Sequence, residues 1–311
     1  MKKITLLIPS YNEESALPLL FEKLNELTES LDRYEWEILL IDDGSNDGTL
    51  EIIKSQAEKD DRIKYISLSR NFGKENAMLA GFDFATGDCM VIMDADLQHP
   101  PQVIPEMISH WEAGFEDVYA RRKDRETDGW LRKRLSLAYY RLLQKFSNID
   151  LLQNVGDFRL LDRKCIDTLK GLRESERYTK GLYCWIGFKK KEITFEPAPR
   201  VAGKTHFSYR KLFKLAVRGI TSFSTAPLKL SIIIGLVVSL ISFILLIIYF
   251  VKALIFGDPV AGFPTLITVI LLLGGIQLMV LGILGEYIGL IFNETKRRPV
   301  YIVGETNIQH E

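Results

Sequence analysis

Two stretches in the C-terminal third of this chain carry no charged residue: the 22 residues 230–251 and the 25 residues 261–285. At about 1.5 Å rise per helical residue, each reaches roughly the ~30 Å thickness of a bilayer's hydrocarbon core. Soluble domains rarely hold two uninterrupted apolar runs of that length side by side. The pattern therefore predicts two membrane-spanning helices, at about 228–254 and 263–291. The flanks set their direction. Seven bases and no acid lie in 198–230, Lys296, Arg297 and Arg298 follow the second run, and the connection between the runs holds only Lys252 and Asp258. Positive charge on the inner side places both ends of the hairpin in the cytoplasm, with a short external turn.

Bulk composition conceals this organisation. The 40 basic and 40 acidic side chains cancel to a net charge of zero, which argues against a nucleic-acid binder, normally basic overall. The charges are segregated along the chain, however: residues 1–60 carry 14 acids against 6 bases. The apolar run 4–8 stops at Pro9 and is too short for a signal peptide. Cys89, Cys165 and Cys184 are odd in number and lack metal-type spacing, which suits free thiols in a reducing compartment. The expected organisation is a cytosolic domain over 1–208, a juxtamembrane amphipathic helix over 209–227, a transmembrane hairpin over 228–292, and a cytosolic tail over 293–311. Within 209–227, Arg210, Lys214 and Arg218 recur every four residues opposite an apolar face, a pattern suited to lying in the membrane interface.

In the first half, apolar runs at 4–8, 37–41, 63–68 and 89–93 alternate with helical patterns near 15–31, 49–59 and 74–85. That rhythm predicts an α/β fold with a parallel sheet and ligands at the carboxyl ends of its strands. Neither a Gly-x-Gly-x-x-Gly turn nor a full Gly-x-x-x-x-Gly-Lys-Ser/Thr loop is present, which weakens dinucleotide-dehydrogenase and P-loop readings. Polar clusters stand at the strand ends instead. The first strand runs into Pro9-Ser10-Tyr11-Asn12-Glu13-Glu14, the second into Asp42-Asp43-Gly44-Ser45, and the fourth into Asp94-Ala95-Asp96-Leu97-Gln98. Asp94 and Asp96 would share one side of an extended strand end. Two carboxylates aimed at one point call for a hard cation, Mg²⁺ or Mn²⁺, bound partly through substrate phosphates, with Gln98 adding an oxygen or holding a water.

These three motifs resemble family 2 inverting glycosyltransferases of GT-A fold. With Gly156-Asp157-Phe158-Arg159, Arg200-Val201-Ala202-Gly203-Lys204-Thr205 and the two helices, the likeness narrows to the polyisoprenyl-phosphate glycosyltransferases and covers nearly the whole chain. The resemblance implies inverting transfer of one sugar from a nucleotide sugar to polyprenyl phosphate at the cytoplasmic membrane face. UDP-glucose or UDP-N-acetylglucosamine are the first expected donors, with GDP-mannose behind. It further implies that Pro9, Tyr11 and Glu13 cradle the base and ribose, with Asp43 on the nucleotide. Asp94, Asp96 and Gln98 match the metal and diphosphate site, and Arg200 and Lys204 match a loop over the diphosphate. Arg122 and Arg134 match residues that meet the acceptor phosphate, although Arg121 and Arg132 leave that register open. Asp157 stands where inverting relatives carry the base. It could equally orient the acceptor or form a structural ion pair with Arg159. A homo-oligomer is also implied, and Gly235-x-x-x-Ser239 and Gly285-x-x-x-Gly289 offer close helix contacts within the hairpin or between subunits.

Two other readings compete. A processive polysaccharide synthase shares the catalytic fold, but its Gln-x-x-Arg-Trp motif and additional membrane helices are missing here. A membrane-anchored scaffold that has lost catalysis would show broken metal or base positions, whereas Asp94, Asp96 and Asp157 are all present.

Overall fold

The computed structural model describes residues 1–123, 155–196, 226–256 and 262–308. The chain divides into two compact units, residues 1–216 together with 298–311, and residues 217–297.

In the first unit, β1 (Lys3–Ser10), β2 (Glu35–Asp42), β3 (Ile63–Leu68) and β4 (Cys89–Ile92) alternate with α1 (Leu17–Ser30), α2 (Thr49–Ala57) and α3 (Lys74–Phe84). The four strands pair in parallel. Strands buried on both faces need near-continuous apolar sequence rather than alternation, and Ile4, Leu6, Leu7 and Ile8 of β1 are fully buried. The helices bury one face each: Leu17, Leu20, Phe21, Leu24 and Leu27 of α1 recur at helical spacing and all face the core. Every strand and helix expected in this half is present, with ends shifted by a few residues at most.

The chain continues through α4 (Ile104–Glu112), β5 (Asp117–Arg122), β6 (Val155–Asp162), α5 (Arg163–Gly171), α6 (Thr179–Trp185) and β7 (Lys190–Phe195). Here the sheet becomes mixed, because β6 runs antiparallel to both β4 and β5. Among the described residues the strand order is β7-β5-β6-β4-β1-β2-β3, with an eighth strand beyond β3. From β1 the chain first builds outward through β2 and β3, then returns to place β4 on the other side. That reversal creates a crevice at the carboxyl ends of β1 and β4, the position where open α/β sheets bind ligands.

The eighth strand, β8 (Val303–Thr306), lies in the segment expected to be a plain tail. It pairs antiparallel with the outer edge of β3. Asn307 reinforces the join, accepting from the Tyr65 backbone N–H through Oδ1 at 2.8 Å and donating from Nδ2 to the Ile63 carbonyl at 3.1 Å. Tyr301 donates its hydroxyl to Asp83, which also meets Arg173 in two hydrogen bonds.

The second unit holds α7 (Ala226–Phe256) and α8 (Phe263–Thr295), of 31 and 33 residues. Leu236, Leu240, Phe243, Leu278 and Phe292 are exposed large apolar side chains on these helices. Leu272–Thr295 is long and apolar enough to cross a bilayer, and within α7 the described apolar stretch is Ser231–Leu245. A Cβ built on Gly235, Gly285 or Gly289 would touch nothing within 4 Å. Of the expected amphipathic helix, residues 209–225 lie outside the described residues.

Candidate active site

Three loops meet at the carboxyl ends of β1, β2 and β4. Pro9 is the next-to-last residue of β1, and Tyr11 and Glu13 follow the strand, with Tyr11 42% exposed. Asn12 adopts φ 55° there, a left-handed conformation that asparagine tolerates. This loop is knitted to the β2–α2 loop. Asn12 N–H donates to Ser45 Oγ, Asn46 N–H to Asn12 Oδ1, Glu13 N–H to Thr49 Oγ1, and Gly48 N–H to Glu14 Oε2. The polar residues of the two loops thus hold one another in place.

The Asp42-Asp43 pair faces inward. Asp42 accepts from the Ser45 N–H and the Ser67 hydroxyl. Asp43 accepts from the backbone N–H of Phe72 at 2.7 Å through Oδ1 and of Gly73 at 2.9 Å through Oδ2. Burial pushes its carboxyl above the ordinary value despite those two donors. Expected on the nucleotide, Asp43 in this structure fixes the loop that opens α3. Gly44 serves the same loop. Its φ is 67°, and a Cβ there would stand 2.4 Å from the Arg70 carbonyl carbon, so only glycine fits.

The first residue of α3 is Lys74. Its Nζ lies 2.6 Å from Asp94 Oδ1 and 2.8 Å from Asp157 Oδ2. The side chains of Lys74 and Asp94 remain 41% and 33% exposed, against 10% for Asp157. The triad is therefore open to solvent on the Lys74–Asp94 side and closed behind Asp157. Burial alone would raise the Asp157 pKa, but Lys74 and Lys180 outweigh it and hold the carboxyl well below the usual range. Its Oδ1 is buried and has no hydrogen-bond partner among the described residues. Arg159 is not its ion partner. That side chain turns to Asp117 at 3.0 Å, with 2% and 0% of the two side chains exposed, and lies 3.6 Å over the Tyr183 ring.

Asp94 and Asp96 sit in a turn beyond β4, which ends at Ile92. Strand alternation therefore does not set their directions, contrary to the expectation from extended geometry. Local hydrogen bonds do so instead. The Asp94 N–H donates to His99 Nδ1 at 3.0 Å, and the Gln98 N–H donates to Asp96 Oδ1 at 3.1 Å. Leu97 takes φ 58° inside the turn, a costly conformation for a bulky apolar residue and one that concentrates at functional sites. His99 stacks on Phe158 with ring centroids 4.7 Å apart. Burial lowers its pKa, so the imidazole is neutral and free to accept from Asp94. Among the described residues no three or more His, Cys, Asp or Glu side chains converge as a metal cage. The donor set fits a divalent cation that draws the rest of its ligands from diphosphate and water, since Asp94 already attracts a cation at 2.6 Å.

The basic residues divide. Arg121 is paired with Glu192 at 3.3 Å, whereas Arg122 is exposed at the end of β5. Arg132, Arg134, Arg200 and Lys204 lie outside the described residues.

The profile described as Glycosyl transferase family 2 matches residues 5–170. The chain belongs to that family. It is 45% identical over 301 residues to the prophage bactoprenol glucosyl transferase homolog of Escherichia coli (strain K12), covering 97% of this chain and 98% of that protein. The bactoprenol glucosyl transferase of Shigella phage SfV gives the same identity and the same coverage. A solved mycobacterial protein shares the fold, with a TM-score of 0.50 at 18% identity, covering 71% of this chain and 73% of its own. The globular unit is thus a GT-A, Rossmann-like glycosyltransferase domain.

Two residues of this glycosyltransferase escaped the sequence reading. Lys74 had a signal, a glycine and a lysine opening a helix after a strand, but nothing in the sequence tied it to carboxylates 20 and 83 positions away. Glu75 looks like an ordinary first-turn acid, yet its Oε2 accepts the Thr179 N–H at 3.0 Å and so docks α6 against α3.

Proposed function

We propose that this glycosyltransferase moves one glucosyl unit, with inversion, from a nucleotide sugar to a polyprenyl phosphate at the cytoplasmic face of the membrane. UDP-glucose is the favoured donor. The observation that carries this reading is 45% identity, along 97% of the chain, with proteins named bactoprenol glucosyl transferases.

The chain's own residues supply a coherent site. Pro9, Tyr11 and Glu13 receive the base and ribose, and Asp43 serves the nucleotide through the loop that it fixes. Asp94 and Asp96, with Gln98 beside them, hold Mg²⁺ or Mn²⁺ against the diphosphate. When bound, that cation offsets the negative charge that grows on the leaving diphosphate. Arg200 and Lys204 add fixed positive charge there. Arg122, helped by Arg121, Arg132 or Arg134, receives the acceptor phosphate. This monoester has a second pKa of about 6 and is mostly dianionic near pH 7, so it needs little help from a base. The fixed, ionised Asp157 accordingly orients the acceptor.

Both apolar helices cross the membrane in this reading, with the basic segment 209–227 lying at the interface and both termini in the cytoplasm. The pairing of β8 with β3 supports it. A chain that leaves the globular unit and later rejoins the same sheet must cross the bilayer an even number of times.

The test is transfer of labelled glucose from UDP-glucose to polyprenyl phosphate by membranes containing the protein. An acid-labile lipid carrying one sugar is the expected product. A long polymer, or no turnover with any donor, would overturn the proposal.

A further inference from the structure

Asp157 is fixed by a cation that comes from another element. Lys74 reaches across from the start of α3 to β6 and, with the same ammonium group, to the turn after β4. Its position leaves little freedom. Both oxygens of Asp43 hold the N–H groups of Phe72 and Gly73, Gly73 takes φ 92°, and helix α3 begins at the next residue. One turn of chain therefore converts the end of β2 into the placement of a single ammonium group between two carboxylates. Its effect on Asp157 is directional: Oδ2 is bound to Lys74, and Oδ1 is left buried and unpartnered among the described residues. Its effect on Asp94 is competitive, because Oδ1 of Asp94 meets the ammonium at 2.6 Å and a ligand oxygen cannot serve two cations equally.

We propose that Lys74 is a positioning residue of the transfer reaction, which fixes Asp157 through its Oδ2 and competes with the divalent cation for Asp94. Before donor binds, Lys74 is the counter-charge for both carboxylates. As metal and diphosphate take up Asp94, Lys74 keeps Asp157 as its partner and fixes it for the acceptor. The inference rests on the proposed transferase reading for the metal and the acceptor.

The test uses full-length protein in detergent micelles, with Mn²⁺ titrated in the absence of donor and followed by the electron paramagnetic resonance of free Mn²⁺. Lys74→Met is expected to bind Mn²⁺ roughly two- to fivefold more tightly, the scale of a solvent-screened ion pair. In the same variant kcat is expected to fall by about 100-fold or more with donor KM little changed, the pattern of an interaction used in the transition state. Lys74→Arg keeps the charge and should retain the wild-type Mn²⁺ affinity and recover part of kcat. A merely structural lysine would give weaker or unchanged Mn²⁺ binding in Lys74→Met, and that result overturns the proposal. Should Lys74→Met not fold, Lys74→Gln keeps a polar side chain without the charge and is read in the same way. If neither folds, Lys74 is needed for structure rather than positioning, and the proposal falls. An absence of transfer by the wild-type protein would instead sink the transferase reading, leaving the Mn²⁺ comparison intact.

Discussion

Arg159 and Asp117 form a closed ion pair across neighbouring strands, with Nη1 3.0 Å from Oδ2 and almost none of either side chain exposed. Such a pair is costly to break from one side, because the partner left behind is a buried, uncompensated charge. Arg159→Leu should destabilise the globular unit by about 3–5 kcal/mol, and the double variant with Asp117→Leu should recover much of that loss. Thermal unfolding of the three variants checks this. A single variant as stable as the wild type would mean that the pair contributes little.

The ionised state of Asp157 predicts a simple pH profile. Burial opposes the charge, but Lys74 and Lys180 hold the group below its ordinary value of 3.8. A depressed carboxylate contributes stability that is present above its unfolded pKa and lost only as pH falls through the lower folded value. No titration of Asp157 is therefore expected between pH 5 and 8. The acid limb of kcat/KM for the acceptor should follow the lipid phosphate, with a midpoint of about 6. Asp157→Asn should lower kcat by roughly 100-fold, on the scale of a lost charged contact to the reacting groups, and leave that midpoint in place. A midpoint that vanishes in the variant would assign it to Asp157 as a base.

Asp96→Ala should remove metal-dependent transfer while leaving membrane insertion intact. Chelation should likewise stop the wild-type enzyme, and added Mn²⁺ or Mg²⁺ should restore it. The expected loss is at least about 100-fold in kcat, because a divalent cation contributes several kcal/mol of transition-state charge stabilisation. Full activity in the variant would remove Asp96 from the metal site.

Gly44→Ala places a methyl group 2.4 Å from a backbone carbon at φ 67°. A left-handed non-glycine residue costs about 1–3 kcal/mol before any clash is counted. The loop from Arg70 to Lys74 must shift, so both stability and kcat should drop together. Unchanged kinetics in a folded variant would show that the loop adapts.

Asn307→Ala removes two hydrogen bonds to the backbone of β3. At about 1 kcal/mol each, the loss should appear as faster hydrogen exchange at Tyr65 and in β8.

The parallel half of the fold was legible because its signals are local. An apolar run of five residues followed by an amphipathic helix admits few structures, and the carboxylates announced the strand ends on which they stand. The direction of Asp94 and Asp96 was not legible, because the strand stops two residues before Asp94 and a turn replaces alternation. Nor were the partners of Asp157 and Arg159. Opposite charges two residues apart suggested a pair, but each found a different partner from a distant element. The strand at 303–306 was hidden for a related reason: Val303-Gly304-Glu305-Thr306 carries no apolar run, and only the open edge of β3 makes it a strand.

That last strand sets an order of events during synthesis. The outer edge of β3 is made more than 230 residues before its partner β8, and both apolar helices leave the ribosome in between. The outer edge of β3 therefore stays open until both long helices have been made, and the sheet of the globular unit is completed from the far side of them in sequence.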